Sequence, residues 1–169
     1  MGAMSVEQLR PWLARAGRCL IGKEWRPAVS GEQIEIVDPS TELGIARSAA
    51  GGSEDVNLAV AAAREAFTQW SRRPAAERGQ LLWKLAELLE THACEMATIE
   101  TINAGKPITD TTARDVPGAV AALRYMGGWS DKIAGETVTP TVAGDWHTYT
   151  VREPVGVVGI IVPWNFPLN

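Results

Sequence analysis

Val155-Gly156-Val157-Val158-Gly159-Ile160-Ile161-Val162 is an almost unbroken apolar run set between Pro154 and Pro163. A run without polar alternation belongs to a strand buried on both faces, as strands inside parallel sheets are. Such a strand reaches its parallel neighbour through a crossover of a dozen or more residues, usually a helix. Only residues 163–169 follow it, and no other stretch of the chain has the same character. The run therefore predicts an α/β protein and the first strand of a sheet whose other strands lie outside these 169 residues.

Upstream, residues 146–153 alternate. Trp146, Thr148, Thr150 and Arg152 oppose His147, Tyr149 and Val151, which predicts a half-exposed strand ended by Pro154. Helical spacing dominates before that. Val116, Ala119, Val120, Leu123 and Gly127 share one face of a helix predicted over 116–132, and their small size permits close approach to a neighbour. A helix near 94–103 stops at Gly105-Lys106-Pro107, a cap glycine followed by a breaker. Pro74 opens another, with Leu81, Leu82, Leu85, Leu88 and Leu89 as its apolar stripe. Trp83 lies on the opposite side, either partly exposed or covered by another subunit or domain. Ser53 reads as the N-cap of a helix that places Val56, Val60, Ala63, Phe67 and Trp70 together. Residues 19–25 and 33–37 read as a hairpin, Asp38-Pro39-Ser40-Thr41 as a turn, 45–49 as a short strand, and Ser5 to Ala16 as an amphipathic lead.

Composition narrows the class. With 46% hydrophobic and 21% charged residues the chain is not disordered. A net charge of −4 without a basic cluster argues against nucleic acid as a partner. No stretch supplies the roughly 20 apolar residues of a membrane span. The N-terminus lacks a secretion signal, Val6 breaks the myristoylation pattern, and residues 1–4 read as an appended lead before a native start. Cys19 and Cys94 form no CxxC and only two histidines are present, so a reduced cytoplasmic protein with no metal site is expected.

Pro163-Trp164-Asn165-Phe166-Pro167 lies at the carboxyl end of the apolar run, where open α/β sheets bind ligands. The two prolines fix φ and leave the Asn165 amide few directions to point. A preorganised amide N–H can stabilise an oxyanion by roughly 3–4 kcal/mol. The alternative is a strand-ending turn in which Asn165 is structural. Other motifs carry less. Gly156 and Gly159 lie inside a strand and lack the first glycine of a dinucleotide fingerprint, and Lys106 is followed by Pro107 where a phosphate loop has Ser or Thr. His92 and His147 have no partner at ligand spacing.

Residues 153–168 resemble the signature of the NAD(P)-dependent aldehyde dehydrogenase superfamily at the entry to its cofactor fold. Earlier segments agree in order: Leu20-Ile-Gly-Lys-Glu-Trp25, Asp38-Pro39, Phe67-x-x-Trp70 with Pro74-x-x-x-Arg78, Glu100-Thr-Ile-Asn-Ala-Gly-Lys-Pro107, and Arg124-Tyr-Met-Gly-Gly-Trp-Ser-Asp-Lys-Ile-Ala-Gly135. The resemblance implies the N-terminal part of an aldehyde dehydrogenase-like α/β fold, with a Rossmann-like cofactor domain, peripheral helices and an oligomerisation hairpin. Its implied divisions are a lead over 1–18, the hairpin and helical part of the cofactor domain over 19–138, the oligomerisation hairpin over 139–154, and the first sheet strand over 155–169.

In that family a cysteine thiolate attacks the aldehyde, NAD or NADP takes the electrons, and a glutamate activates the water that releases the acid. The resemblance assigns Asn165 the oxyanion hydrogen bond. Ile161, Val162, Pro163 and Trp164, with Asn165, match the nicotinamide side of the cofactor site. Phe166 matches a wall of the aldehyde tunnel. The helix over 116–132 matches its mouth, where Gly118, Ala119, Ala121 and Ala122 leave room for a bulky apolar aldehyde or else serve helix packing. Asn103 stands where relatives often carry an aspartate, which counts against a monovalent-cation site. The family's nucleophile and general base fall beyond residue 169, and neither Cys19 nor Cys94 lies in the nucleophile motif. The implied parent is an aldehyde-oxidising homo-oligomer, a dimer or tetramer, and the 169-residue chain alone is expected to be inactive. The competing expectation is a non-catalytic assembly fragment that associates with intact subunits.

Overall fold

The computed structural model describes residues 4–168; residues 1–3 of the lead and Asn169 lie outside the described part. Helix α1 (Val6–Ala16) opens on a capping box: the Ser5 hydroxyl accepts from the Gln8 N–H at 3.3 Å, and the Gln8 side chain accepts from the Ser5 N–H at 2.9 Å. The expected hairpin between 19–25 and 33–37 does not form. Instead β1 (Cys19–Ile21) pairs antiparallel with β2 (Glu24–Arg26), and β3 (Gln33–Asp38) pairs with β4 (Leu43–Ala49). Gly22 adopts a left-handed φ of +63°, so the chain reverses within two residues, and the nearer pairing closes the shorter loop.

Helix α2 (Ser53–Trp70) begins one residue differently from expectation, with Gly52 at the cap. The Asp55 carboxylate accepts from the Gly52 N–H at 2.9 Å and from the Val29 N–H at 3.0 Å, so Asp55 takes the capping role predicted for Ser53. Helices α3 (Ala75–Thr91), α4 (Ala93–Ala104) and α5 (Ile108–Asp110) follow, then a π-helical turn over Thr111–Asp115 and helix α6 (Val116–Trp129). Ala86, Ala97, Val116 and Val120 form the core, with Leu89, Met96, Ile108, Leu123 and Leu168 packed on it.

The buried side of α3 differs from the predicted leucine stripe, since Leu81, Leu85 and Leu88 are exposed while Gly79 and Ala86 are buried. Close approach explains the difference. A Cβ on Gly79 would stand 2.7 Å from the Gly127 carbonyl oxygen, so only small residues fit between α3 and α6. Trp83 is half-exposed, and its ring edge covers Gly127.

The strand expected over 146–153 shortens to β6 (Thr148–Tyr149), which pairs antiparallel with β5 (Thr137–Val138). A strand extends only as far as its partner, and β5 has two residues. The first strand of this hairpin begins at Thr137. The run 155–162 stands apart from these ladders. It enters no strand among the described residues, and Val155 and Ile161 are 97% and 101% exposed. The three sheets of the described residues are two-stranded and antiparallel, so no parallel neighbour is present to cover it.

Candidate functional site

Residues 163–168 return the chain to the helical core. Leu168 packs on the cluster of Ala86, Ala97, Val116 and Val120, and the Phe166 ring lies beneath the Lys106 ammonium, with Nζ 4.0 Å from its centroid. Asn165 sits between these anchors and Trp164, in an exposed turn. Pro163 and Trp164 are exposed on the approach to it, as are Ile161 and Val162. Gly118 is half-buried on α6, two residues from Val116 and two from Val120 of the core. The structure thus brings Phe166 against Lys106 and Leu168 onto the helical core, while the side chains of 161–164 are exposed. Ala119 is buried, so it serves packing, whereas Ala121 and Ala122 are exposed.

Lys106 is held by a local sequence device. Gly105 ends α4 in the left-handed region at φ +71°, and a Cβ there would meet Pro39 Cγ at 2.8 Å. That reversal folds Lys106 back along α4, where its Nζ donates to Glu100 Oε1 at 3.0 Å and to Asp115 Oδ2. Glu100 and Asp115 are only 4% and 2% exposed. Asp115 closes the π-helical turn, whose extra residue per turn is a feature often found at functional sites. The turn is tied to α4 by the Thr101–Thr111 hydroxyl contact at 2.9 Å.

The charges respond to this burial. Burial pushes the Glu100 carboxyl above its ordinary value, assisted by the neighbouring Asp115 and opposed by Lys106. Burial acts the same way on Asp115, but hydrogen bonds from Lys106 and Glu100 outweigh it and hold Asp115 below its ordinary value. Burial would lower Lys106, and its bonds to Asp115 and Glu100 raise it instead. Sequence reading misses this triad because six and nine residues of separation say nothing about α4 facing the π turn. The available signal is a lysine straight after a cap glycine with acidic residues in both flanking helical segments.

A family model for the aldehyde dehydrogenase family matches residues 25–169. The chain belongs to the aldehyde dehydrogenase family. Its sequence is 45% identical to horse aldehyde dehydrogenase 1A1 over 154 residues, 89% of this chain and 30% of the relative. An aldehyde dehydrogenase of Bacillus cereus, solved as an NAD+ complex, superposes with a TM-score of 0.91 at 37% identity, covering 99% of this chain and 34% of that one. An indole-3-acetaldehyde dehydrogenase of P. syringae, solved with NAD+ and IAA, superposes with a TM-score of 0.86 at 36% identity, covering 98% and 34%. This aldehyde dehydrogenase chain therefore spans about 30% of the length of the curated relatives it matches, and its fold is the N-terminal part of theirs.

Among the described residues no helix is long and apolar enough to cross a membrane.

Proposed function

We propose that this chain is the N-terminal part of an NAD(P)-dependent enzyme whose complete form oxidises an aldehyde to a carboxylic acid. The carrying observation is Asn165 exposed in a turn between two prolines, anchored on one side by Phe166 and Leu168, within a chain of this family. Ile161 and Trp164 are exposed apolar side chains, of the chemistry that suits the face of a nicotinamide ring. Ile161, Val162, Pro163, Trp164 and Asn165 would line its nicotinamide side. Bound there, NAD+ or NADP+ supplies the acceptor for the electron pair that leaves the aldehyde carbon.

The Asn165 amide N–H donates to the substrate oxygen as it gains negative charge under thiolate attack. The attacking cysteine and the water-activating glutamate belong to the rest of the complete protein. Phe166 keeps an exposed surface for the aldehyde path, and Gly118 leaves room near its mouth. Residues 1–18 serve as lead, 19–138 as the peripheral part of the cofactor domain, 139–154 as the oligomerisation hairpin of a cytoplasmic homo-oligomer, and 155–169 as the first sheet strand.

In the complete protein, Asn165→Ala is expected to slow the first turnover of NADH formation by roughly 10²–10³-fold and leave NAD+ affinity unchanged. Equal loss of NAD+ binding would make Asn165 a structural turn residue and overturn the assignment. A second reading, a non-catalytic piece that associates with intact subunits, is favoured by one feature: Val142, Trp146, Tyr149 and Val151 of the hairpin region are all exposed. Failure of the chain to co-purify with intact subunits would remove it.

A further inference from the structure

The Asn165 turn needs an anchor, because the run before it has no ladder among the described residues. Leu168 supplies one on the core, and Phe166 supplies the other under Lys106. The lysine has little freedom. Two of its three ammonium N–H groups are committed to Glu100 and Asp115, whose side chains are each 3% exposed and come from separate elements. The remaining direction meets the face of the Phe166 ring, the negative side of its quadrupole. Phe166 is also the residue before Pro167, which restricts its backbone to extended conformations. Fixing its ring therefore fixes the peptide that joins it to Asn165.

We propose that Lys106, clamped between Glu100 and Asp115, is the positioning residue that sets the Phe166 ring and, through it, the direction of the Asn165 amide. This role rests on the reading of Asn165 as the oxyanion donor. It places the lysine outside the reacting atoms: its charge goes to two buried carboxylates and one aromatic face, and its effect on the reaction passes through the turn.

The test uses the complete protein with NAD+ and the shortest aldehyde it accepts, reading the first-turnover rate, KM and NAD+ affinity separately. Phe166→Leu removes the aromatic face and leaves the triad intact; the first-turnover rate at saturating aldehyde is expected to fall about ten-fold, the loss of one partly desolvated cation–π contact, with NAD+ affinity unchanged, while any change in KM reports the separate contact of Phe166 with the aldehyde path. Phe166→Tyr is expected to restore the rate. Lys106→Gln is expected to match Phe166→Leu, Lys106→Arg to recover part of the loss, and the Lys106→Gln/Phe166→Leu double variant to be no slower than the worse single variant. Additive losses, or equal rates for Phe166→Leu and Phe166→Tyr, would overturn the positioning role. Lys106→Gln strands two buried carboxylates, so if it fails to fold the Phe166 pair decides alone. If Asn165→Ala leaves the first turnover untouched, the proposed function and the positioning role fall together; if it slows that step and the Phe166 variants do not, only the positioning role falls.

Discussion

Glu100 and Asp115 share one lysine, yet burial and hydrogen bonding drive their protons in opposite directions. Asp115 lies below its ordinary value, so its contribution to stability is complete above that value and disappears as pH falls through the folded one. Glu100 lies above its ordinary value, so the fold favours its protonated form. Its contribution is complete below the ordinary 4.5 and is lost as pH rises through the folded value. Glu100→Gln is therefore expected to abolish the decline in Tm above about pH 4.5 while keeping the acid-side loss due to Asp115; thermal melts between pH 3 and 8 check this, and an unchanged profile above pH 4.5 would be the contrary result. The neighbouring Gly105 is legible from sequence, because Gly-Lys-Pro after a helical segment states a left-handed cap in local terms. Lys106 is not, because its partners are chosen by the packing of α4 against the π turn.

The contact of α3 with α6 shows the same division between local and tertiary information. Helix spans follow from periodicity, and the small face of Val116, Ala119, Val120 and Gly127 is buried as that periodicity predicts. Which side of α3 meets it does not follow, since Leu81, Leu85 and Leu88 of the apolar stripe are exposed and the glycine-bearing side is buried, while Leu89 of the stripe packs on the core. Backbone approach decides: a Cβ on Gly127 would stand 2.7 Å from Trp83 Cδ1 and 3.1 Å from the Gly79 carbonyl oxygen. Gly127→Val forces that contact apart, because the carbonyl belongs to helix backbone and cannot swing aside. A loss of about 1–3 kcal/mol is expected from chemical denaturation, and a loss below about 0.5 kcal/mol would show that the helices separate easily. The short hairpins are less legible still. Alternation marks residues 146–153 as strand-like, but only a partner's length converts alternation into a ladder, and β5 offers two residues.

The apolar run that points to a parallel sheet carries some of the most exposed apolar side chains of the described residues, and the surface area shows how open the chain is. The chain exposes 12508 Å². A compact protein of 18.2 kDa exposes about 8,100 Å². The difference, about 4,400 Å², is comparable to a large obligate interface. Val155, Ile160, Ile161 and Trp164 contribute to it, as do Leu81, Leu85 and Leu88 on α3 and Trp146 and Tyr149 near the hairpin. Sequence reading expects a strand over 155–162 because the run has no polar alternation, while among the described residues the run enters no ladder. Two consequences follow for the purified 169-residue chain. Its exposed edge and apolar faces are expected to drive self-association, so light scattering should report masses well above 18.2 kDa, and a stable monomer with a sharp thermal transition would contradict the surface argument. Under the proposed function the nucleophile and the water-activating base belong to the rest of the complete protein, so a preparation verified by intact mass is expected to form no NADH or NADPH from any aldehyde. Reproducible turnover would mean that a group within residues 1–169 performs the attack, and would remove the division of labour on which the assignment of Asn165 depends.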